Sequence, residues 1–116
     1  MMLPTDVKVY LYCGVTDMRK SINTLAIMVK EQLELEPSSG HLFLFRNRCG
    51  DKLKALYYEE NCYTLWYRRL EKVKFIFPRN KEGHIELSSE HFSWLLASNK
   101  YTHVNDKTTE VYCDFY

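Results

Sequence analysis

The sequence lacks long hydrophobic runs, glycine-rich stretches and closely spaced cysteines. It contains four glycines and three prolines among 116 residues, and no apolar run approaches the length that crosses a membrane. The N-terminus shows no basic region followed by an apolar segment, so a secretory signal is not expected. These absences argue against membrane and secreted proteins, and they predict a cytoplasmic protein that makes no membrane contact.

The cysteines are too scattered to hold a structural metal ion. They are Cys13, Cys49, Cys62 and Cys113. No two of them form a CxxC pair, and the four histidines have no ligand spacing with them. The sequence therefore predicts neither a metal site nor a cofactor. Free thiols in a reducing, cytoplasmic compartment fit this use of cysteine.

A catalytic constellation is also missing from the sequence. Nucleophilic catalysis needs a serine or cysteine beside a histidine and an orienting acid, and no pattern brings such groups together. Asp6, Asp17 and Asp51 fall near strand ends or turns, where capping and turn formation explain them. We therefore do not expect an enzyme; a small metal-dependent nuclease is the alternative that clustered carboxylates would support.

What the sequence does contain is enough apolar and aromatic material for one folded domain. Hydrophobic residues make up 46%, charged residues 27% and aromatic residues 15% of the chain, which is typical of a globular domain of this length. We expect residues 1–100 to form a single α+β domain. Residues 101–116 are expected to form a tail, either a late edge strand or a mobile end.

The hydrophobic pattern predicts a strand, a long helix, four or five antiparallel strands and a short helix. Val7–Cys13 alternates as a strand does, and apolar residues spaced by three and four predict a helix from Thr16 or Asp17 to about Leu35. The other predicted strands are HLFLFRN (41–47), DKLKALYYE (51–59), CYTLWYRRL (62–70), VKFIFP (73–78) and HIEL (84–87). Ser88 or Ser89 is predicted to cap the second helix.

These elements predict an α+β fold class. The expected architecture is a single, mostly antiparallel sheet of about five strands with one long N-terminal helix and one short C-terminal helix. Both helices are expected on the same face of the sheet.

Charge is nearly balanced over the whole chain but unevenly distributed along it. The formal net charge is +1, whereas the segment from Arg46 to Lys81 contains ten basic and four acidic residues, a net charge of +6. The flanking residues contain six basic and eleven acidic residues, a net charge of −5. Such asymmetry indicates an anionic partner.

Two basic groups and the segment GVTDMRK (14–20) supply the candidate contacts with nucleic acid. The arms of the predicted hairpin would bring four cations beside their turn, where a phosphate backbone is the natural partner and a solvated sheet face is the alternative. The segment YRRLEKVKF interleaves basic with aromatic residues, which favours phosphate contact more than base stacking. The predicted nucleic-acid-binding residues are Arg19, Lys20, Arg46, Arg48, Lys52, Lys54, Arg68, Arg69, Lys72 and Lys74.

Within GVTDMRK, a structural role and a binding role are both open. Thr16 and Asp17 are expected to cap the long helix. Arg19 and Lys20 would then lie in its first turn, where the helix dipole disfavours cations by a few tenths of a kcal/mol. Cations placed against that bias are expected to contact an anion, either a phosphate backbone or an internal carboxylate.

Four segments also occur in a specific order and spacing. They are GVTDMRKSINTLAIMV (14–29), SGHLFLFRNRCGDKLKALYY (39–58), LWYRRLEKVKFIFP (65–78) and IELSSEHFSWLL (85–96). Together they resemble the TnpB-type accessory proteins of the insertion-sequence-66 family of bacterial transposable elements. The resemblance spans about residues 5–97 and implies a non-catalytic accessory protein of transposition, encoded beside the transposase that cuts and joins the DNA.

The resemblance also implies partners for this protein. DNA, expected to be the ends of the element, would be bound within a complex that includes the transposase and other element-encoded proteins. Cys49 departs from the family pattern at a hairpin position expected to be basic, and the tail beyond Lys100 has no clear counterpart. The alternative function is a protein-interaction adaptor that bridges the transposase and other element-encoded proteins. The sequence leaves the oligomeric state open.

Overall fold

A five-stranded mixed sheet forms the centre of the computed structural model, which describes residues 6–78 and 82–97. The strands are β1 (Val9–Val15), β2 (Leu42–Arg46), β3 (Lys52–Glu59), β4 (Cys62–Arg69) and β5 (His84–Leu87), and their spatial order is β4-β3-β2-β1-β5. Helix α1 (Ile22–Glu31) connects β1 to β2, and α2 (Ser89–Leu96) follows β5. Strands β1 and β2 are parallel, and the other three neighbouring pairs are antiparallel.

The predicted α+β class is confirmed, but the predicted architecture was wrong in its details. The sheet is mixed because the connection through α1 returns the chain to the end of the sheet where β1 began, which makes β2 parallel to β1. The first helix is short, with ten residues from Ile22 to Glu31. It begins after its N-cap Ser21, and Glu34 takes a positive φ of 58° just beyond its end.

The predicted helix was too long at both ends, because the spacing of hydrophobic residues indicates which residues are buried but not which are helical. Met18 and Leu33 are only 7% and 3% exposed, and they pack in the same core as the helix although both lie outside it. Residues 73–78, predicted as a strand, also form no strand. The strands predicted at 41–47, 51–59, 62–70 and 84–87 are confirmed.

Two apolar cores lie on opposite faces of the sheet. The core beneath α1 contains Leu25, Val29, Phe43, Phe45 and Leu56, together with Met18 and Leu33. The core beneath α2 contains Leu11, Leu44, Leu53, Phe92 and Leu95, together with Leu70 and Phe75. The prediction that both helices cover one face was therefore wrong. Successive side chains of a strand point to opposite faces, so β2 is buried on both.

The β3–β4 turn and the N-terminus of α2 have the local geometry typical of a hairpin turn and a capped helix. Glu60 and Asn61 both take positive φ angles, 51° and 64°, as a two-residue type I′ hairpin turn between β3 and β4 requires. Ser88 caps α2, since its Oγ accepts a hydrogen bond of 3.0 Å from the backbone N–H of His91. The predicted cap on the second helix is confirmed at Ser88.

Three further observations concern membrane-spanning length, metal-ligating groups and thiols in the described part of the chain. None of its helices is long and apolar enough to cross a membrane. Residues 6–78 and 82–97 contain no group of three or more metal-ligating side chains that could hold an ion. Cys13 and Cys62 are free thiols, whereas Cys49 is disulfide-bonded, so the prediction of free thiols was wrong there. The predicted tail, 101–116, lies outside the described residues.

Candidate nucleic-acid interface

The sheet topology brings all ten predicted cations to one end of the sheet. Strands β1, β2 and β4 end there, and β3 and β5 begin there. We call the residues at this end (16–20, 46–54, 68–74 and 82–83) the basic end. It contains ten basic and four acidic residues, a net charge of +6. The remaining described residues contain two basic and eight acidic residues, a net charge of −6.

The turn between β2 and β3 is built around Asn47, a side chain that is fully buried. Its Oδ1 accepts hydrogen bonds of 3.0 Å from the backbone N–H groups of Gly50 and Lys52. Its Nδ2 donates to Oδ1 of Asp51 at 2.7 Å. Gly50 takes a φ of +79°, a conformation that glycine adopts without steric cost. This amide was not among the predicted site residues, although Asn, Gly and Asp together are typical turn composition.

The chain beyond β4 folds back over this turn. The N–H groups of Leu70 and Phe75 donate to the carbonyl groups of Asp51 and Gly50, each at 2.8 Å. Leu70 and Phe75 are also buried in the α2 core. Residues 70–75 are therefore held by the turn and by the core, although they form no strand, and they bring two further lysines to the basic end.

Arg46 is a structural cation. Its Nη2 donates to the carbonyl oxygen of Cys13 at 2.9 Å, and its guanidinium carbon lies 5.6 Å from the centre of the Phe77 ring. Arg46 pairs with Leu53, the neighbour of Lys54, so Arg46 and Lys54 project from opposite faces of the sheet. The hairpin cations share an end of the sheet but not a face.

Lys54 is the second structural cation. Its Nζ donates to the carbonyl oxygens of Met18 and Lys20, both at 2.8 Å, and so ties the loop before α1 to the sheet. Burial lowers the pKa of Lys54, and the charge of Asp17 partly opposes this shift. The ammonium group also lies 5.4 Å from the centre of the Tyr67 ring.

Three further cations each have a carboxylate beside them. The pairs are Arg19 with Asp17 at 2.6 Å, Arg69 with Glu71 at 2.9 Å and Lys52 with Asp51 at 3.9 Å. The Arg19 and Arg69 side chains are 65% and 55% exposed, so these two pairs are surface ion pairs of small stabilising effect. Because solvent weakens these two ion pairs, Arg19 and Arg69 can also interact with another anion.

The loop before α1 differs from its prediction. Asp17 does not cap the helix; its carboxylate accepts hydrogen bonds from the Arg19 side chain and from the Arg19 backbone N–H. Thr16 is buried, and its backbone N–H donates to the Arg46 carbonyl group at 2.8 Å. Arg19 and Lys20 precede the helix and do not lie in its first turn.

The other five predicted cations differ in their exposure to solvent. Arg48, Arg68 and Lys72 are exposed, and Lys20 and Lys74 are half-buried. None of these five side chains forms an ion pair with another described residue. The Arg68 guanidinium carbon lies 5.8 Å from the centre of the Trp66 ring. These five residues are therefore the cations of the basic end with the most freedom to contact an anion.

The family model described as "IS66 Orf2 like protein" matches residues 7–106 of the chain. The chain belongs to this family. It is therefore a transposition-associated accessory protein, and the resemblance inferred from the four segments is confirmed. No solved structure matches the chain.

Two proteins of Sinorhizobium fredii (strain NBRC 101917 / NGR234) are similar to this IS66 Orf2-like protein. The uncharacterized protein y4hO is 36% identical over 104 residues, which cover 88% of this chain and 90% of the relative. The uncharacterized protein y4jC is 36% identical over 91 residues, which cover 78% of each chain. The match therefore extends over most of both relatives.

Replacement of Asn47 by alanine should lower the free energy of unfolding by about 2–4 kcal/mol, because two N–H groups lose their acceptor and a buried side chain is truncated. Chemical denaturation followed by circular dichroism would measure the change. Asn23→Ala, at an exposed position of α1, is the matched control and should change stability by less than about 0.5 kcal/mol. Equal effects at the two positions would contradict the central role of Asn47.

Lys54→Met should destabilise the fold by about 1.5–3 kcal/mol, because it removes a charged donor from two carbonyl groups. Lys72→Met is the control, because Lys72 is exposed and forms no ion pair with another described residue, and its effect should stay below about 0.5 kcal/mol. Thermal and urea unfolding of the two variants would test this order. The reverse order would show that the Lys54 contacts do not support the loop.

The Asp17 carboxyl provides a pH-dependent test of the loop. The hydrogen bond from the Arg19 side chain, helped by the Arg19 backbone N–H, lowers the pKa of Asp17 from 3.8 to about 2. Because the folded-state pKa is lowered, the stabilisation is complete above pH 3.8 and is lost as the pH falls through about 2. Arg19→Gln should raise this pKa toward 3.8, as measured by NMR titration of the carboxyl carbon; an unchanged pKa would exclude the pair in solution.

Proposed function

We propose that this IS66 Orf2-like accessory protein binds DNA through its basic end within a transposition complex. The observation that supports the proposal is the separation of charge, with a net +6 at the basic end and −6 over the other described residues. Cations that neutralise phosphates release condensed counterions from DNA, which drives binding. An uneven charge distribution also orients the protein as it approaches an anionic surface.

The ten predicted residues divide into different roles under this proposal. Arg48, Arg68 and Lys72 contact phosphates directly, with Lys20 and Lys74 beside them. Arg46 and Lys54 support the surface, because their donor groups already bind backbone carbonyl oxygens. Phosphate contact is favoured over base stacking, since Trp66 packs against the α2 core.

The proposed role is non-catalytic, and the reaction chemistry would belong to the transposase. The ends of the element are the proposed DNA ligand, and the transposase and other element-encoded proteins are the proposed protein partners. Phosphate contacts alone carry no sequence information. A preference for the element ends would therefore have to come from contacts or DNA shape beyond the charge of the basic end.

The adaptor alternative would need a contiguous exposed apolar patch. The large hydrophobic side chains exposed in the described part of the chain are Val15, Ile27, Tyr67, Ile76 and Trp94. Each belongs to a different element or connecting segment. The separation of charge is the stronger observation, and it favours DNA over an apolar partner.

Fluorescence anisotropy with duplexes of the element's terminal repeats, titrated across salt, tests the proposal. Contact with roughly five phosphates gives a log–log slope of about −4 to −5. Arg48→Glu with Lys72→Glu should weaken binding roughly tenfold or more and reduce the slope by about 2. Lys8→Glu with Lys30→Glu changes net charge equally at exposed positions away from the basic end, and should have a much smaller effect.

The possible outcomes separate the hypotheses. Stronger binding to terminal repeats than to a scrambled duplex would make the protein an end-recognition factor, and equal binding would make it a non-specific DNA clamp. Equal weakening by the two double variants would contradict binding by the basic end. No binding at low salt would overturn the DNA proposal, and the transposase would become the next ligand to test.

A further inference from the structure

The two edges of the sheet differ in their protection against pairing with another strand. Proteins shield edge strands by keeping them short or by adding bulges, prolines or charges. Edge strand β5 has four residues and includes His84 and Glu86. Edge strand β4 has eight residues, pairs with β3 in unbroken register and contains no proline. Its only charged residues are Arg68 and Arg69, at its end.

Among residues 6–78 and 82–97, nothing covers the outer edge of β4. No other strand among the described residues pairs with it. Five of its eight side chains are exposed. A long, regular edge of this kind exposes unpaired N–H and C=O groups that another strand can bind. This edge is therefore a candidate site for pairing with a strand of matching length and charge.

We propose that β4 pairs antiparallel with β4 of a second copy of this chain, which joins the two sheets into one. A twofold axis perpendicular to the sheet relates the copies, so that the same edge serves both. Backbone hydrogen bonds across the axis would satisfy the exposed N–H and C=O groups.

Charge complementarity selects the antiparallel orientation. With the twofold axis at Leu65 or at Trp66, Arg69 lies opposite Asn61 or Tyr63 of the second copy. Glu59 and Glu60 lie beyond these positions, at the exposed β3–β4 turn of the second copy. Symmetry therefore places the arginine end of each β4 near the acidic turn of the other copy. A parallel arrangement would instead place the arginine pairs of the two copies side by side.

Charge reversal of either end of β4 tests the proposal without DNA, so its outcome is independent of the proposed function. Full-length protein with Cys62→Ser, which removes an exposed thiol, is studied by sedimentation equilibrium. Glu59→Lys with Glu60→Lys, and separately Arg68→Glu with Arg69→Glu, should each shift the dimer to monomer. An equimolar mixture of the two variants should restore a dimer, because the mixed pair has opposite charges at both contacts.

Matched controls carry the same charge changes away from β4. Glu86→Lys with Glu90→Lys controls for the first variant, and Lys8→Glu with Lys30→Glu controls for the second; all four positions are exposed. Both controls should remain dimeric. Circular dichroism would verify that each variant is folded.

Hydrogen exchange of the unmodified protein provides a second measurement that needs no variant. Pairing at the β4 edge should protect every second amide between residues 62 and 69, and the protection should increase with protein concentration. Protection that is independent of concentration would show that another segment of the same chain covers the edge, and would overturn the proposal.

Three other results would also overturn it. One is a monomer at concentrations up to roughly 100 µM, where a dimer with a micromolar Kd would be populated. Another is a dimer that survives both charge reversals. The third is a mixture of the two charge-reversed variants that stays monomeric although both are folded.

Discussion

Three hydrogen bonds from one buried amide hold together the end of the sheet on which the proposed function depends. Asn47 fixes the N–H groups of Gly50 and Lys52 and the carboxylate of Asp51. The turn shaped in this way presents two carbonyl groups to residues 70–75, which would otherwise have no strand partner. The position of the basic residues in both segments therefore depends on a neutral, buried side chain.

The arrangement also explains how ten cations share one end of a small sheet. Arg46 and Lys54 direct their donor groups at backbone carbonyl oxygens, which satisfy the hydrogen bonds without cancelling the charge. The first turn of α1 lies at the same end and contains no acidic residue, so the helix dipole adds to the positive potential. Four carboxylates offset part of the repulsion. The result is a positive surface whose innermost cations are structural.

Local signals in the sequence were sufficient for β2 to β5 and the Ser88 cap, because each depends on neighbouring residues. The family was predicted from the order and spacing of four segments along the chain. The parallel pairing of β1 with β2 depends on a long-range contact that no local pattern records. Four consecutive apolar residues, Leu42–Phe45, were nevertheless a usable sign of a strand buried on both faces. The ten cations were predicted from charge alone. Whether each cation is structural or exposed depends on the face of the sheet from which its side chain projects. Only the structure shows this.

The same separation of charge relates the two proposals. Strand β4 runs from the acidic β3–β4 turn to the basic end, so its polarity is that of the whole sheet. Antiparallel pairing brings opposite charges together and turns the two basic ends in opposite directions. Repulsion between two net +6 surfaces disfavours any arrangement that places them side by side. The proposed dimer would therefore present two separate DNA-binding surfaces. This arrangement favours the binding of two duplexes over the binding of one duplex by both surfaces.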